Sequence, residues 1–322
     1  MTVTEQQLGQ RIRIARERFH LTPQELGEFV DLAASTIEAI EQGARRAESR
    51  ELLRIAFATG RHASEFFDER FADSGALSAL FLANAQIRDR RALTMALQQG
   101  IAFALQFASL ENMLGIDRAA ALPAAVDLPA PLDREEAVAQ GRGVASDERA
   151  RLDRHGLLFD RMQHLLETQG VGSVAVDLPE DVSGLMLCEP RIGAFVLFNA
   201  AQSPARRRFS LAHEYGHVLM DRHLLGSLSA MRREGDLTEL RADAFAAEFL
   251  TPWGRGSAND ADPCEGHQQS DGRSASLGRL LSLACEAFRR DEISRRKLFE
   301  IGRTFGIERD TVAGVIRALG LG

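Results

Sequence analysis

The residues best suited to chemistry lie in the stretch RRRFSLAHEYGHVLM, residues 206–220, where His213 and His217 stand four apart around Glu214. On an α-helix, side chains four apart differ in direction by about 40°, so both imidazoles face one point. Two imidazoles make half of a zinc site. A third protein ligand, histidine or carboxylate, completes a catalytic site that keeps one position open to water. Glu214 stands beside the first histidine, where it can take a proton from that water during attack on a peptide carbonyl and return it to the leaving amine.

A chance H-E-x-x-H is expected in roughly one chain of this composition in sixty, so the motif needs support from elsewhere. The support lies downstream, in TELRADAFAAEFL, residues 238–250, which carries Glu239, Asp243 and Glu248. Glu239 and Asp243 share a helical face, so one can ligate while the other holds a histidine from behind and fixes its tautomer. Glu239 is the preferred ligand, Asp243 the preferred outer partner, and Glu248 a solvated or structural carboxylate. His223 reads either as a donor to an oxyanion or as a surface histidine at a helix end. Zinc is the expected ion, with manganese and iron open, because two imidazoles and a carboxylate accept several divalent metals. Cys264 and His267 form a lone C-x-x-H whose loop lacks the further ligands of a second zinc site.

These residues must be held by a scaffold, and periodicity supplies one. Leu8, Ile12, Ala15 and Phe19 recur on one helical face; Thr22, Pro23 and Glu25 spell a capped helix start; and Gly43 closes a helix that buries Ile37 and Ile40. Leu52, Leu53, Ile55, Ala56, Phe66 and Phe67 offer a last core face. Residues 75–116 stay helical, and 120–133, with three prolines, read as a linker. Two helices over 133–170 precede three apolar runs, VGSVAVDL, SGLMLCE and GAFVLFNA, which predict a small antiparallel sheet. The two motif helices follow, the second stopping at Pro252. A polar, Gly-rich stretch then predicts a mobile loop, and the C-terminal part is helical with a break near Gly306. The expected division is 1–70, 71–119 as a helical connector, 120–133 as the linker, 134–252, 253–275 as the flexible loop, and 276–322.

Composition bounds the function. The 322 residues have 45% hydrophobic and 26% charged content, the profile of a soluble globular protein of two or three domains. A net charge of -7 argues against coating nucleic acid by bulk electrostatics, while leaving a local DNA-binding module open. No basic leader and no long apolar run occurs, and three widely spaced cysteines fit free thiols, so a cytoplasmic protein without membrane contact is expected.

The two motifs together resemble the ImmA/IrrE-type metallopeptidases. Arg206, Phe209, Ala212, His213, Glu214, Gly216 and His217 fill the first pattern of that family; Glu239, Ala242, Asp243, Phe245, Ala246, Ala247 and Pro252 fill the second. The resemblance covers about residues 134–252. It implies an α+β, zincin-like metallo-endopeptidase domain with a downstream glutamate ligand: metal at His213, His217 and Glu239, and Glu214 as general base. The substrate it implies is a specific repressor protein, cut to switch on stress-response or mobile-element genes. The C-terminal segment is similar to the helical last part of that family, which has a helix-turn-helix look.

Residues 8–68 separately resemble the XRE/Cro-type helix-turn-helix, through LGQRIRIARE, LTPQELGEFV, STIEAIEQG and LLRIA. That resemblance implies a five-helix DNA-binding domain with a recognition helix over about residues 33–42, presenting Ala34, Ser35, Thr36 and Ala39. Long base-reading side chains are missing from these positions, and Glu38 and Glu41 lie on the same helix. Docking on a partner repressor or on a second copy of the chain therefore competes with DNA as its use. The whole chain reads as a multi-domain, mainly α protein. Two functions stay open: a zinc-dependent regulatory endopeptidase, and a DNA-binding regulator whose peptidase-like domain senses without cutting.

Overall fold

A computed structural model describes residues 3–18, 21–59, 61, 63–68, 91–153, 161–189, 192–222, 236–251, 272–318 and 320. His223, Pro252, Cys264, His267 and Phe19 lie outside these residues. The chain divides into two compact units, Met1–Ala102 and Phe103–Gly322.

The first unit contains α1 (Glu5–Arg18), α2 (Pro23–Val30), α3 (Ala34–Glu41), α4 (Ser49–Ala58), a 3-10 turn at Ala63–Phe67, and the start of α5 (Arg91–Met113). The fifth element of the helix-turn-helix region is thus a single 3-10 turn. Thr22 Oγ1 accepts from Glu25 N while the Glu25 carboxylate accepts from Thr22 N at 2.7 Å, so the capping box forms as its spacing predicts. Leu8, Ile12, Ala15, Leu26, Val30, Ile37, Ile40, Leu52, Ile55, Ala56 and Phe66 make the core. Leu53 and Phe67, expected inside, are about half exposed: the core face of α4 is filled by its neighbours Leu52 and Ile55, and the 3-10 turn points only one of its two phenylalanines inward. A buried ion pair crosses this core, with Arg16 Nε 2.6 Å and Nη2 2.8 Å from the two Glu41 oxygens.

The second unit holds the rest of α5, a 3-10 turn (Arg118–Ala121), α6 (Arg134–Asp153), α7 (Met162–Thr168), β1 (Gly172–Val176), β2 (Gly184–Glu189), β3 (Gly193–Asn199), α8 (Pro204–Met220), α9 (Leu237–Leu250), α10 (Gly272–Arg289), α11 (Arg295–Thr304) and α12 (Arg309–Ala318). The strands lie where the apolar runs predict them, but the sheet is mixed. β2 and β3 pair antiparallel, whereas β1 pairs parallel with β3, in the order β1-β3-β2. The chain leaving β1 passes over the end of β3 before returning as β2, and Asn199 holds that passage. Its buried amide donates to the carbonyls of Leu178 (3.1 Å), Pro179 (3.1 Å) and Val182 (2.9 Å). A hairpin-by-hairpin order would have left this loop no reason to cross.

Residues 120–133, which read as a linker, are tied down. Val126 N donates to Leu219 O at 2.9 Å, Arg222 donates to Pro123 O at 2.7 Å, and Leu122, Val126 and Leu128 pack on the core. The polar stretch after residue 252 gives way to helix at Gly272, earlier than expected, because Gly272 seats on the Phe198 ring and Ser276 Oγ caps back to its carbonyl. At the other end of the sheet, Arg118 lies over the rings of Phe107 and Phe195 and donates to the carbonyls of Ala194 and Ile192, fastening β3 to α5.

α6, α8 and α9 enclose the core that carries the site. Tyr215, Val218, Phe245, Ala246 and Phe249 are fully buried between them, each large side chain contributing about 1.5–3 kcal/mol of burial. Two close approaches make this packing feasible. A Cβ on Gly216 would meet the Phe245 ring at 2.9 Å, and one on Gly141 would meet Arg241 O at 2.2 Å. α6 read as a charged helix, yet its Glu148 is buried, taking hydrogen bonds from Arg151 (2.7 and 2.6 Å) and from Tyr215 Oη.

Candidate metal centre

α8 begins at Pro204, behind the Ser203 cap, and runs unbroken to Met220, so the 213/217 spacing lands on one helical face. α9 begins behind Asp236, whose carboxylate accepts from Thr238 N (3.0 Å) and Glu239 N (3.4 Å). This cap sets Glu239 in the first turn, where the helix dipole favours its negative charge. The crossing of the two helices brings His213, His217 and Glu239 together: one donor atom from each lies within 4.8 Å of the others, the only such group among the described residues.

His213 Nε2 and His217 Nε2 are 3.2 Å apart. Glu239 Oε2 is 3.3 Å from the first and Oε1 3.3 Å from the second. A tetrahedral zinc ion with bonds of about 2.0–2.1 Å has ligand-to-ligand edges of about 3.3–3.4 Å, which these distances match. The far nitrogens complete the fit. His213 Nδ1 lies 3.0 Å from Asp243 Oδ1, and His217 Nδ1 lies 2.8 Å from Asp221 Oδ2. With both Nδ1–H groups donating to carboxylates, both Nε2 lone pairs are turned to the centre. Glu239 Oε2 is buried there without a hydrogen bond, a cost that a cation would remove.

Protons compete for the same place. Burial works to lower the His217 pKa, but hydrogen bonds to Asp221 and Glu239, with the nearby carboxylate charges, outweigh it and raise it to about 10. Burial opposes the rise at His213 too, and the hydrogen bond to Asp243 with the Glu239 carboxylate 3.3 Å away again prevails. Burial would raise Glu239, yet its two histidine partners hold it at about 2. Without a metal the pocket therefore gathers imidazolium around carboxylate.

Glu214, almost fully buried, points from α8 toward β2; a Cβ on Gly184 would come to 3.0 Å from its Oε1, a tight contact that this carboxylate would have to shift to relieve. Of the residues expected at the site, the structure brings His213, Glu214, His217, Glu239 and Asp243 together on two crossing helices. His223 falls outside the described residues. Glu248 takes no part in the cluster. Sequence reasoning missed Asp221, which lies four residues past His217, a spacing that could have drawn attention to it. It also missed Arg241, buried on α9, whose Nη2 donates to Asp221 Oδ1.

Residues 174–255 match the model of the family described as the IrrE N-terminal-like domain, peptidase family M78. The chain carries an IrrE N-terminal-like peptidase domain. Residues 7–66 match a helix-turn-helix domain, so the same chain joins a DNA-binding fold to an ImmA/IrrE-type metallopeptidase fold. No curated protein and no solved structure matches it. Among the described residues no helix is long and apolar enough to cross a membrane.

In the helix-turn-helix domain, α3 covers most of the expected recognition helix. Ser35 and Glu38 are exposed, Ala34, Thr36 and Ala39 half-exposed, and Ile37, Ile40 and Glu41 buried. The four residues expected to face DNA thus lie on the accessible side of α3, with Glu38 among them and no arginine or lysine on the helix.

Proposed function

We propose that the protein is a zinc-dependent regulatory endopeptidase that cleaves one repressor protein of the XRE type, releasing stress-response or mobile-element genes. The carrying observation is the inward-facing donor set, two imidazole Nε2 atoms and a buried Glu239 oxygen without a hydrogen bond, beside a buried Glu214. His213, His217 and Glu239 would hold the ion. Zinc bound there supplies Lewis acidity toward a peptide carbonyl and makes a water acidic enough to act as nucleophile near neutral pH. Glu214 accepts a proton from the attacking water and delivers it to the amide nitrogen as the C–N bond breaks, leaving a carboxylate and an amine. Asp243 orients His213 through Nδ1. Manganese or iron would fit the same donors.

The repressor as substrate is supported by the pairing of the two domains in one chain and by the family likeness. Incubating the protein and zinc with an XRE-type repressor encoded beside it should yield a single cut. Glu214→Gln should abolish the cut while keeping the metal, and a Glu214→Gln protein that still cuts would refute the role given to Glu214.

A second reading draws on the accessible face of α3: a DNA-binding regulator whose peptidase fold senses without cutting. It requires operator binding through residues 8–68 and full regulation by Glu214→Gln. Regulation lost in that variant, with operator binding unchanged, excludes it.

A further inference from the structure

We infer that Asp221, Arg241 and Gln140 form a positioning relay that fixes the metal-binding tautomer of His217; the inference rests on the metal-centre reading above. Asp221 is the residue that ends α8, fully buried, and its two oxygens are divided between two tasks. Oδ2 meets His217 Nδ1 at 2.8 Å, and Oδ1 receives Arg241 Nη2. Arg241, itself buried, sends its other terminal nitrogen to Gln140 Oε1 on α6 at 3.0 Å. Gly141, the next residue, permits the approach of α6 that brings Gln140 within reach. Three helices thereby converge on one imidazole from the side away from the metal.

The relay does more than neutralise charge, because the guanidinium determines which way the carboxylate group can be read. A carboxylate has two equivalent oxygens, so Asp221 can accept from Arg241 and from His217 at once. An amide cannot do so in both orientations. With Arg241 donating to the single oxygen of an Asp221→Asn side chain, the NH2 group must face His217 Nδ1. That nitrogen would then have to accept, which moves the ring proton to Nε2 and removes the lone pair offered to the metal. The same substitution without Arg241 leaves the amide free to turn its oxygen toward Nδ1, and the useful tautomer returns. Asp221 and Arg241 should therefore be coupled in a way that simple destabilisation does not produce.

The test measures zinc affinity by chelator competition for wild type, Asp221→Asn, Arg241→Met and the double variant, in full-length protein, with circular dichroism and a cooperative thermal transition verifying the fold. Asp221→Asn should weaken zinc at least about 10–100-fold, the effect of losing an outer-shell partner. Adding Arg241→Met should restore part of that loss, leaving the double variant tighter than Asp221→Asn alone. Nitrogen-15 spectra of the zinc-loaded chains give a readout that packing does not move: Nδ1 protonated and Nε2 on the metal at His217 in wild type and in the double variant, and in Asp221→Asn an unprotonated Nδ1 with Nε2 protonated and off the metal. Zinc held by Asp221→Asn within about twofold of wild type, or losses that simply add in the double variant, would overturn the relay while leaving the metal centre standing. A wild-type chain that takes up no zinc would overturn both.

Discussion

Gly141 and Gly143 stand two residues apart on α6, and the structure assigns opposite signs to the same substitution at them. Replacing a helical glycine by alanine gains about 0.8–1 kcal/mol from propensity alone. At Gly143 a Cβ meets nothing within 4 Å, so that gain should appear in full. At Gly141 the Cβ would sit 2.2 Å from Arg241 O and 3.0 Å from Phe245 N, both backbone atoms of α9. Backbone cannot rotate aside, so α6 and α9 must part by roughly 1 Å to reach ordinary contact, an overpacking cost of about 1–3 kcal/mol or more. The clash exceeds the propensity gain, and Gly141→Ala should be destabilised on balance. At about 2–4 °C per kcal/mol for a unit of this size, the two midpoints should move in opposite directions by a few degrees. Because α9 also carries Glu239, the parting should reach the metal: Gly141→Ala should bind zinc more weakly and Gly143→Ala unchanged. Thermal unfolding of the metal-free chains and a zinc titration check both. A Gly141→Ala chain as stable as Gly143→Ala would refute the close approach of α6 and α9.

Other outcomes follow from named contacts. Arg16→Met should destabilise the helix-turn-helix unit by about 3–5 kcal/mol, since it strands Glu41 in the core, while Arg16→Met with Glu41→Leu should recover most of the loss; amide exchange in α1 and α3 measures both. Asn199→Ala removes four hydrogen bonds, one from Ala201 N and three that leave carbonyls at the β1–β2 passage without their donor, so its urea midpoint should fall by the equivalent of about 1–3 kcal/mol or more, whereas an unchanged midpoint would contradict the pinning role. The raised pKa of His217 stabilises the metal-free chain fully below about pH 6.5, and that contribution is lost as pH climbs through about 10. Zinc must displace the same protons, so its affinity should strengthen over that interval while metal-free stability declines, and a zinc affinity that is flat with pH would refute the proton competition.

What the sequence revealed was chiefly what a few adjacent residues decide. The Thr22–Glu25 capping box, the 213/217 spacing and the three strand segments are local, and each forms as read. Strand order escaped because nothing in β1 or β3 alone specifies that they pair parallel; the loop after β1 is held at the end of β3 by Asn199, 17 to 21 residues beyond the carbonyls it binds, a contact visible only in the fold. α6 reads as a charged helix, and the burial of its Glu148 is explained only by the Tyr215 hydroxyl that reaches it from α8. At the site, residues on one helical face were legible. Asp221 and Arg241 were not, since a carboxylate just past a motif and an arginine among alanines acquire meaning only when α8 and α9 cross.

The most direct test of the central claim is a zinc titration of the metal-free chain by calorimetry, run beside Glu239→Gln and Glu214→Gln. One zinc per wild-type chain is predicted, with affinity retained in Glu214→Gln and reduced in Glu239→Gln by more than about 100-fold, beyond the loss of any outer-shell partner. Undiminished binding in Glu239→Gln would contradict the three-ligand centre on which the account rests.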